Sequence, residues 1–164
     1  MANILIAVTG SIASYKTADL VSSLKKQGHD VTVIMTEAAR EFIQPLTLQV
    51  LSQNPVHLDV MKEPYPDQVN HIELGKRTDL FIVAPATANT IAKLAHGFAD
   101  NMVTSTALAL PIHIPKLLAP AMNTKMYDHP ATQANLKTLE TYGYQIISPK
   151  ESLLACGDHG KGAL

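Results

Sequence analysis

The chain has no tryptophan and only one cysteine, Cys156, among its 164 residues. A single thiol cannot form an internal disulfide, so no cystine framework holds the fold, and a reducing compartment suits it. Charge is also scarce. Only 16% of the residues are charged and the net charge is −1, and there is no basic run interleaved with aromatics. That excludes nucleic acid from the expected partners. The first apolar stretch, residues 4–8, is too short for a signal-peptide core or a membrane span. No membrane partner is expected, and the cytoplasm is the expected location. Repeats, low-complexity tracts and linkers are absent, and "KEPYPDQ" (residues 62–68) reads as one surface loop.

What is present is apolar. Hydrophobic residues make up 46% of the chain, and a chain of this length reads as one domain that buries roughly two-thirds of its unfolded surface. The low charge also leaves room for a subunit interface. The runs "NILIAVTG", "VTVIMT", "DLFIVAPAT", "KLLAPAMN" and "YQIISP" are short, apolar and closed by turn residues, as strands buried on both faces require. Between them lie helical patterns. The first places Ala13, Thr17, Leu20, Val21 and Leu24 on one face, with Gly28 as its stop. "PLTLQVLSQN", "ANTIAKLAHG", "ADNMVTSTALAL" and "ATQANLKTLETYG" supply the others. Strands alternating with helices at this spacing predict a three-layer α/β sandwich, Rossmann-like or flavodoxin-like, with a central parallel sheet.

Ligands of such sheets bind beyond the carboxyl ends of the strands. At those ends stand Gly10 and Ser11, Thr36 and Glu37, residues 87–90, and residues 121–123. "TGSIASYK" puts Gly10 and Ser11 at a helix start, where free N–H groups favour a phosphate. Two readings stand for Ser11, an N-cap or a ligand donor. "ATANT" is a second donor-rich helix start, through Thr87, Asn89 and Thr90. Two such starts along one edge point to a mononucleotide-sized ligand. Neither the dinucleotide G-x-G-x-x-G nor a P-loop is present. Asn123 reads as an N-cap, and Met122 and Met126 as core or interface fillers. Cys156 sits among Gly157, Gly160 and Gly162 in a polar, glycine-rich tail that reads as a mobile loop carrying a reactive group. Cys156, Asp158 and His159 are metal-ligating types, but no paired ligand cluster accompanies them and no metal is expected. A G-x-S-x-G hydrolase elbow is also missing.

Taken together and in order, "GSIASYK", "HIEL", "PATANT", "ADN", "PAMNTKMY" and "ACGDHGKGAL" resemble the flavin-containing cysteine decarboxylase family. The resemblance runs from the first strand to the last residue. It implies FMN bound at a subunit interface of a homotrimer, or a multiple of trimers. It implies that Gly10, Ser11, Ile12, Thr36, Thr87, Ala88, Asn89, Thr90 and Ala121 line the flavin. By the same resemblance His71 and Cys156 are catalytic, and Asn123, Met126, Ala155, Gly157 and Asp158 contact substrate. Residues 150–164 become a substrate clamp on one domain spanning residues 1–164, and the absence of a following ligase segment implies a stand-alone decarboxylase.

The implied substrate is 4′-phosphopantothenoylcysteine, of the coenzyme A pathway. Flavin oxidises the cysteinyl thiol, CO₂ leaves, and the ene-thiol is re-reduced to 4′-phosphopantetheine. The sink for the carbanion comes from the cofactor, and His71 acts as acid–base or orienting group. Two alternatives share much of this pattern: a lantibiotic-type peptidyl-cysteine decarboxylase, and a non-catalytic FMN-binding regulatory subunit. "ACGD" argues against the first. The joint presence of His71, Asn123 and Cys156 argues against the second.

Overall fold

A computed structural model describes residues 1–153 and 159–164, with side-chain surroundings for residues 1–149, 162 and 164. The roles expected of Ala155, Cys156, Gly157 and Asp158 fall outside the described residues.

The chain runs β1 (Asn3–Val8), α1 (Tyr15–Lys26), β2 (Asp30–Met35), α2 (Pro45–Ser52), α3 (Asn70–Arg77) and β3 (Leu80–Ala86). It continues through α4 (Ala88–Ala95), α5 (Met102–Leu108), β4 (Lys116–Pro120), α6 (Thr124–Asp128), α7 (Pro130–Thr141) and β5 (Tyr144–Ile146). A hairpin, β6 (Lys150–Leu153) with β7 (His159–Ala163), follows. Five strands form one sheet in the order β2-β1-β3-β4-β5, and every pairing is parallel. This is the flavodoxin-like order, so the expected α/β sandwich is the fold. Residue His57 bridges Ile34 in parallel at the β2 edge.

Alternate strand residues enter two cores, as a period of two requires. Leu5, Ala7, Phe81, Val83 and Leu118 face α3, α4, α5 and α7 through Leu74, Ile91, Met102, Val103, Leu136 and Leu139. Ile4, Ile6, Val8, Val31 and Val33 face α1 and α2 through Val21 and Leu48. Each fully buried aliphatic side chain stabilises the fold by roughly 1.5–3 kcal/mol. The expected face of α1 is in place: Ala13, Thr17 and Val21 are buried, with Leu20 and Leu24 half-buried.

The small residues of "ADNMVTSTALAL" pack as expected of a helix, with Met102 to Thr106 buried within this chain. Their smallness serves the contact of α5 with α3, where a Cβ on Gly75 would lie 2.7 Å from the Ala109 carbonyl oxygen. One expectation needs correction: the glycine-rich tail reads as a loop, yet Gly160 and Gly162 belong to β7, paired antiparallel with β6. Its glycines mask a strand because glycine contributes no apolar alternation to read. Among the described residues no helix is long and apolar enough to cross a membrane.

Candidate active site at the carboxyl edge of the sheet

In the order 2-1-3-4-5 the chain reverses direction across the sheet between β1 and β3, and a crevice opens beyond their carboxyl ends. Buried hydroxyls hold this junction. Pro85 cannot donate to a ladder, and the β3–β4 register shifts between Val83 and Ala86. The Pro85 carbonyl instead accepts the Thr9 hydroxyl at 2.6 Å, and Thr9 Oγ1 accepts the Thr87 N–H at 3.0 Å. Thr17 donates to the Ala84 carbonyl at 2.8 Å and Ser14 to the Thr9 carbonyl at 2.9 Å. The first turn after β1 is thus fixed to the end of β3.

Glycine is required at position 10, because a Cβ there would meet Ala38 Cβ at 2.6 Å. That contact seats the short 3-10 turn Ala38–Glu41 against the end of β1. The result is an open cleft of about 600 Å³, walled by Gly10, Thr36, Thr87, Asn89 and Thr90. Those are five of the nine cofactor candidates. Glu37, Ala38, Glu41, Lys93, Asp100 and Asn101 complete the wall. The sequence signal for Asp100 and Asn101 is present in "ADN". Lys93 and Glu41 have none, because each lies within an element and reaches the cleft only through the fold.

Ser11, Ile12, Ala88 and Ala121 lie beside the cleft's wall residues in sequence but are not part of the wall. Ser11 caps its turn, accepting the Ala13 N–H at 3.1 Å. Ile12 is 63% exposed, and Ala121 is buried, its N–H donated to the Ala86 carbonyl at 3.1 Å. Thr87 and Asn101 also cap, accepting the Thr90 and Thr104 N–H groups at 3.2 and 2.9 Å. The capping readings and the cleft-lining positions coexist.

The cleft's charges are mostly acidic. Lys93 Nζ lies 2.6 Å from Asp100 Oδ2, and its hydrogen bond holds that carboxyl below the usual carboxylate range. Glu37 and Glu41 then outnumber the cations. An anion seated here therefore rests on N–H and O–H donors. Among the described residues, the amide nitrogens of Asn89 and Asn101 and the Thr36 hydroxyl hydrogen have no acceptor within the chain, and the first N–H groups of α4 have no intrahelical partner. Such a donor set fits the polar side of a mononucleotide.

His71 stands in the first turn of α3. That turn is anchored by the Asn70 N–H on Glu63 Oε2 at 2.7 Å, and by the Asn70 side-chain amide on His57 Nδ1 at 2.8 Å. His71 Nδ1 is buried and, among the described residues, lacks a hydrogen-bond partner; such an atom calls for an explanation. Asn123 caps α6, accepting the Lys125 N–H at 2.8 Å, and Met126 is half exposed. The Met122 N–H donates to the Gly162 carbonyl at 2.8 Å, which ties this segment to β7. Lys16 Nζ donates to the Leu164 carbonyl at 2.8 Å. The hairpin is therefore fastened at both α1 and α6. Neither His71 nor Asn123 belongs to the cleft wall.

The comparisons with known proteins agree in kind. A "Probable phosphopantothenoylcysteine decarboxylase" of Streptococcus mutans is 63% identical over 161 residues, covering 98% of this chain and 90% of the relative. The coenzyme A biosynthesis bifunctional protein CoaBC of Bacillus subtilis is 51% identical over 162 residues, and this chain spans 39% of its length. A solved PPC decarboxylase mutant complexed with pantothenoylaminoethenethiol superposes with a TM-score of 0.88 at 32% identity, covering 99% of this chain and 90% of that one. The FMN binding protein AtHal3 superposes with a TM-score of 0.85 at 32% identity, covering 99% and 88%. A family model described as Flavoprotein matches residues 1–164. With the match spanning the whole sheet and its carboxyl-edge cleft, the chain belongs to the Flavoprotein family.

Proposed function

We propose that this chain is an FMN-dependent carboxy-lyase that converts 4′-phosphopantothenoylcysteine to 4′-phosphopantetheine in coenzyme A biosynthesis, in the cytoplasm. The observation that carries this reading is the donor-rich cleft at the β1/β3 switch point, built by the motifs that resemble the decarboxylases. The 63% identity to the Streptococcus mutans protein supports the choice of substrate.

Gly10, Ser11, Thr36, Thr87, Asn89 and Thr90, with Ile12, Ala88 and Ala121 beside them, would hold FMN. FMN bound there would supply a two-electron sink for the cysteinyl thiol and the same two electrons for the final reduction, so the net change is replacement of a carboxylate by a proton. His71 has capacity left at its buried Nδ1, and acts as the acid–base or orienting group beside the reacting thiol. Asn123 positions the substrate carboxylate, with Met126 beside it. Residues 150–164 serve as the substrate clamp of a single domain spanning residues 1–164. In that clamp Ala155, Gly157 and Asp158 contact substrate, and Cys156 supplies the proton for re-reduction.

The working unit in this reading is a homotrimer or a multiple of trimers. Ile12 and Tyr15, 63% and 62% exposed in the turn and helix that follow Gly10, support it, because exposed apolar side chains suit cover by a second subunit. Purified protein should be yellow and release about one FMN per chain. Release of FAD, or a folded preparation that takes up no flavin, contradicts the cofactor assignment.

A further inference from the structure

The substrate of the reaction proposed above has its reacting cysteine and its phosphate at opposite ends. Two amide-linked units, pantoyl and β-alanyl, separate them, on the order of 10–15 Å when extended. The flavin cleft is a poor seat for that second phosphate, because its open N–H and O–H donors are those assigned to FMN. Among the described residues it offers no unpaired cation either: Lys93 is paired with Asp100, and nearby Lys16 donates to the Leu164 carbonyl.

A second cleft, of about 380 Å³, adjoins it. The turn Ala38–Glu41 separates the two: Ala38 and Glu41 face the first, Arg40 the second. Asn70, next to His71 in the chain, lines the second cleft as well. Its two acids are matched in number by two cations, Arg40 and Lys62. Asp59 accepts the Met61 N–H at 2.9 Å, and Glu63 accepts the Asn70 N–H at 2.7 Å, so each acid is held by its own loop. Among the described residues Arg40 and Lys62 make no side-chain ion pair or hydrogen bond. His57 Nδ1 receives the Asn70 amide at 2.8 Å. That bond makes Nδ1 the acceptor and leaves the Nε2–H of the neutral ring to donate.

We infer that this cleft is the subsite for the substrate's 4′-phosphate, with Arg40 and Lys62 as its charged donors and His57 as a neutral one. Arg40 offers a fork suited to two phosphate oxygens, and Lys62 a point charge. The inference rests on the decarboxylase reading and adds to it the residues that select a phosphorylated substrate. Contacts this far from the reacting carbon act on binding, so their loss should appear in KM.

The test compares 4′-phosphopantothenoylcysteine with pantothenoylcysteine as substrates of the FMN-loaded protein, following CO₂ release. The readout is the preference, the ratio of the two kcat/KM values. Arg40→Gln and Lys62→Gln should each lower that ratio on the order of tenfold, the double variant more, through KM for the phosphorylated substrate. Arg40→Lys, which keeps the charge but loses the fork, should fall between wild type and Arg40→Gln. A ratio unchanged in the double variant overturns the subsite, including the case in which both activities fall together. Wild-type protein active on both substrates without preference overturns it too. Wild-type protein inert on both overturns the decarboxylase reading, and the subsite with it.

Discussion

The two ends of the sheet carry clefts of similar size whose polar groups are used differently. At the carboxyl end, about 600 Å³ is lined by hydroxyls, amides and acids at strand termini. At the amino end, about 500 Å³ lies where β4 and β5 begin, beside Phe98, Leu108, Ile112, Tyr142 and Tyr144. The one cation there among the described residues, Lys116, is buried and donates to the carbonyls of Pro111, Ile112 and Ile114 at 3.3, 3.0 and 3.3 Å. All three ammonium protons are consumed within the fold, whereas donors at the other edge remain open. Volume does not distinguish a site from a gap; unspent hydrogen-bonding capacity at a topological switch point does.

That contrast can be broken by substitution. The largest effect belongs to His71→Asn, which should slow decarboxylation by roughly 10²- to 10⁴-fold, the range of acid–base contributions, with FMN still bound. Near-normal CO₂ release by the flavin-loaded variant would return His71 to a structural role. Next comes Gly10→Ala. Its methyl would press on Ala38 at 2.6 Å, so stability in urea should drop by about 1–3 kcal/mol and flavin affinity should weaken with the displaced turn. Unchanged unfolding and flavin titrations would show that the contact is not required. A smaller change is expected from Tyr15→Asp combined with Ile12→Asp. Light scattering should show smaller particles and flavin retention should decline; a trimer of full occupancy would remove these residues from the interface.

The amino edge should respond in stability alone. Burial pushes the Lys116 ammonium below its ordinary value of 10.5. The unfolded chain therefore binds more protons between the folded and ordinary values, and stability rises with pH across that window. Lys116→Met should flatten this rise in urea melts at pH values below 10.5 and leave the flavin spectrum alone. A variant with the wild-type slope would show that another group titrates there.

Much of this contrast is legible in the sequence. Apolar runs closed by turn residues mark every strand of the sheet, and the same turns mark Gly10, Thr36, Thr87, Asn89 and Thr90, because a strand's end is both a local signal and a place in the fold. Lys93, Glu41 and Arg40 are not legible. Each is an ordinary charge inside a helix or a 3-10 turn, and only the packing of Ala38 under Gly10 brings that turn to the cleft. The strand β7 escapes for the reverse reason, since glycines hide alternation.

The carboxyl-edge cleft, in this reading, performs oxidative decarboxylation with no net consumption of electrons. Anaerobic mixing of the FMN-loaded protein with 4′-phosphopantothenoylcysteine tests this most directly, with flavin absorbance and product mass followed together. The expected result is CO₂ release, accumulation of 4′-phosphopantetheine over many turnovers, and flavin that ends oxidised. Intact substrate after exhaustive incubation, or one turnover that leaves reduced flavin and an ene-thiol, would contradict it.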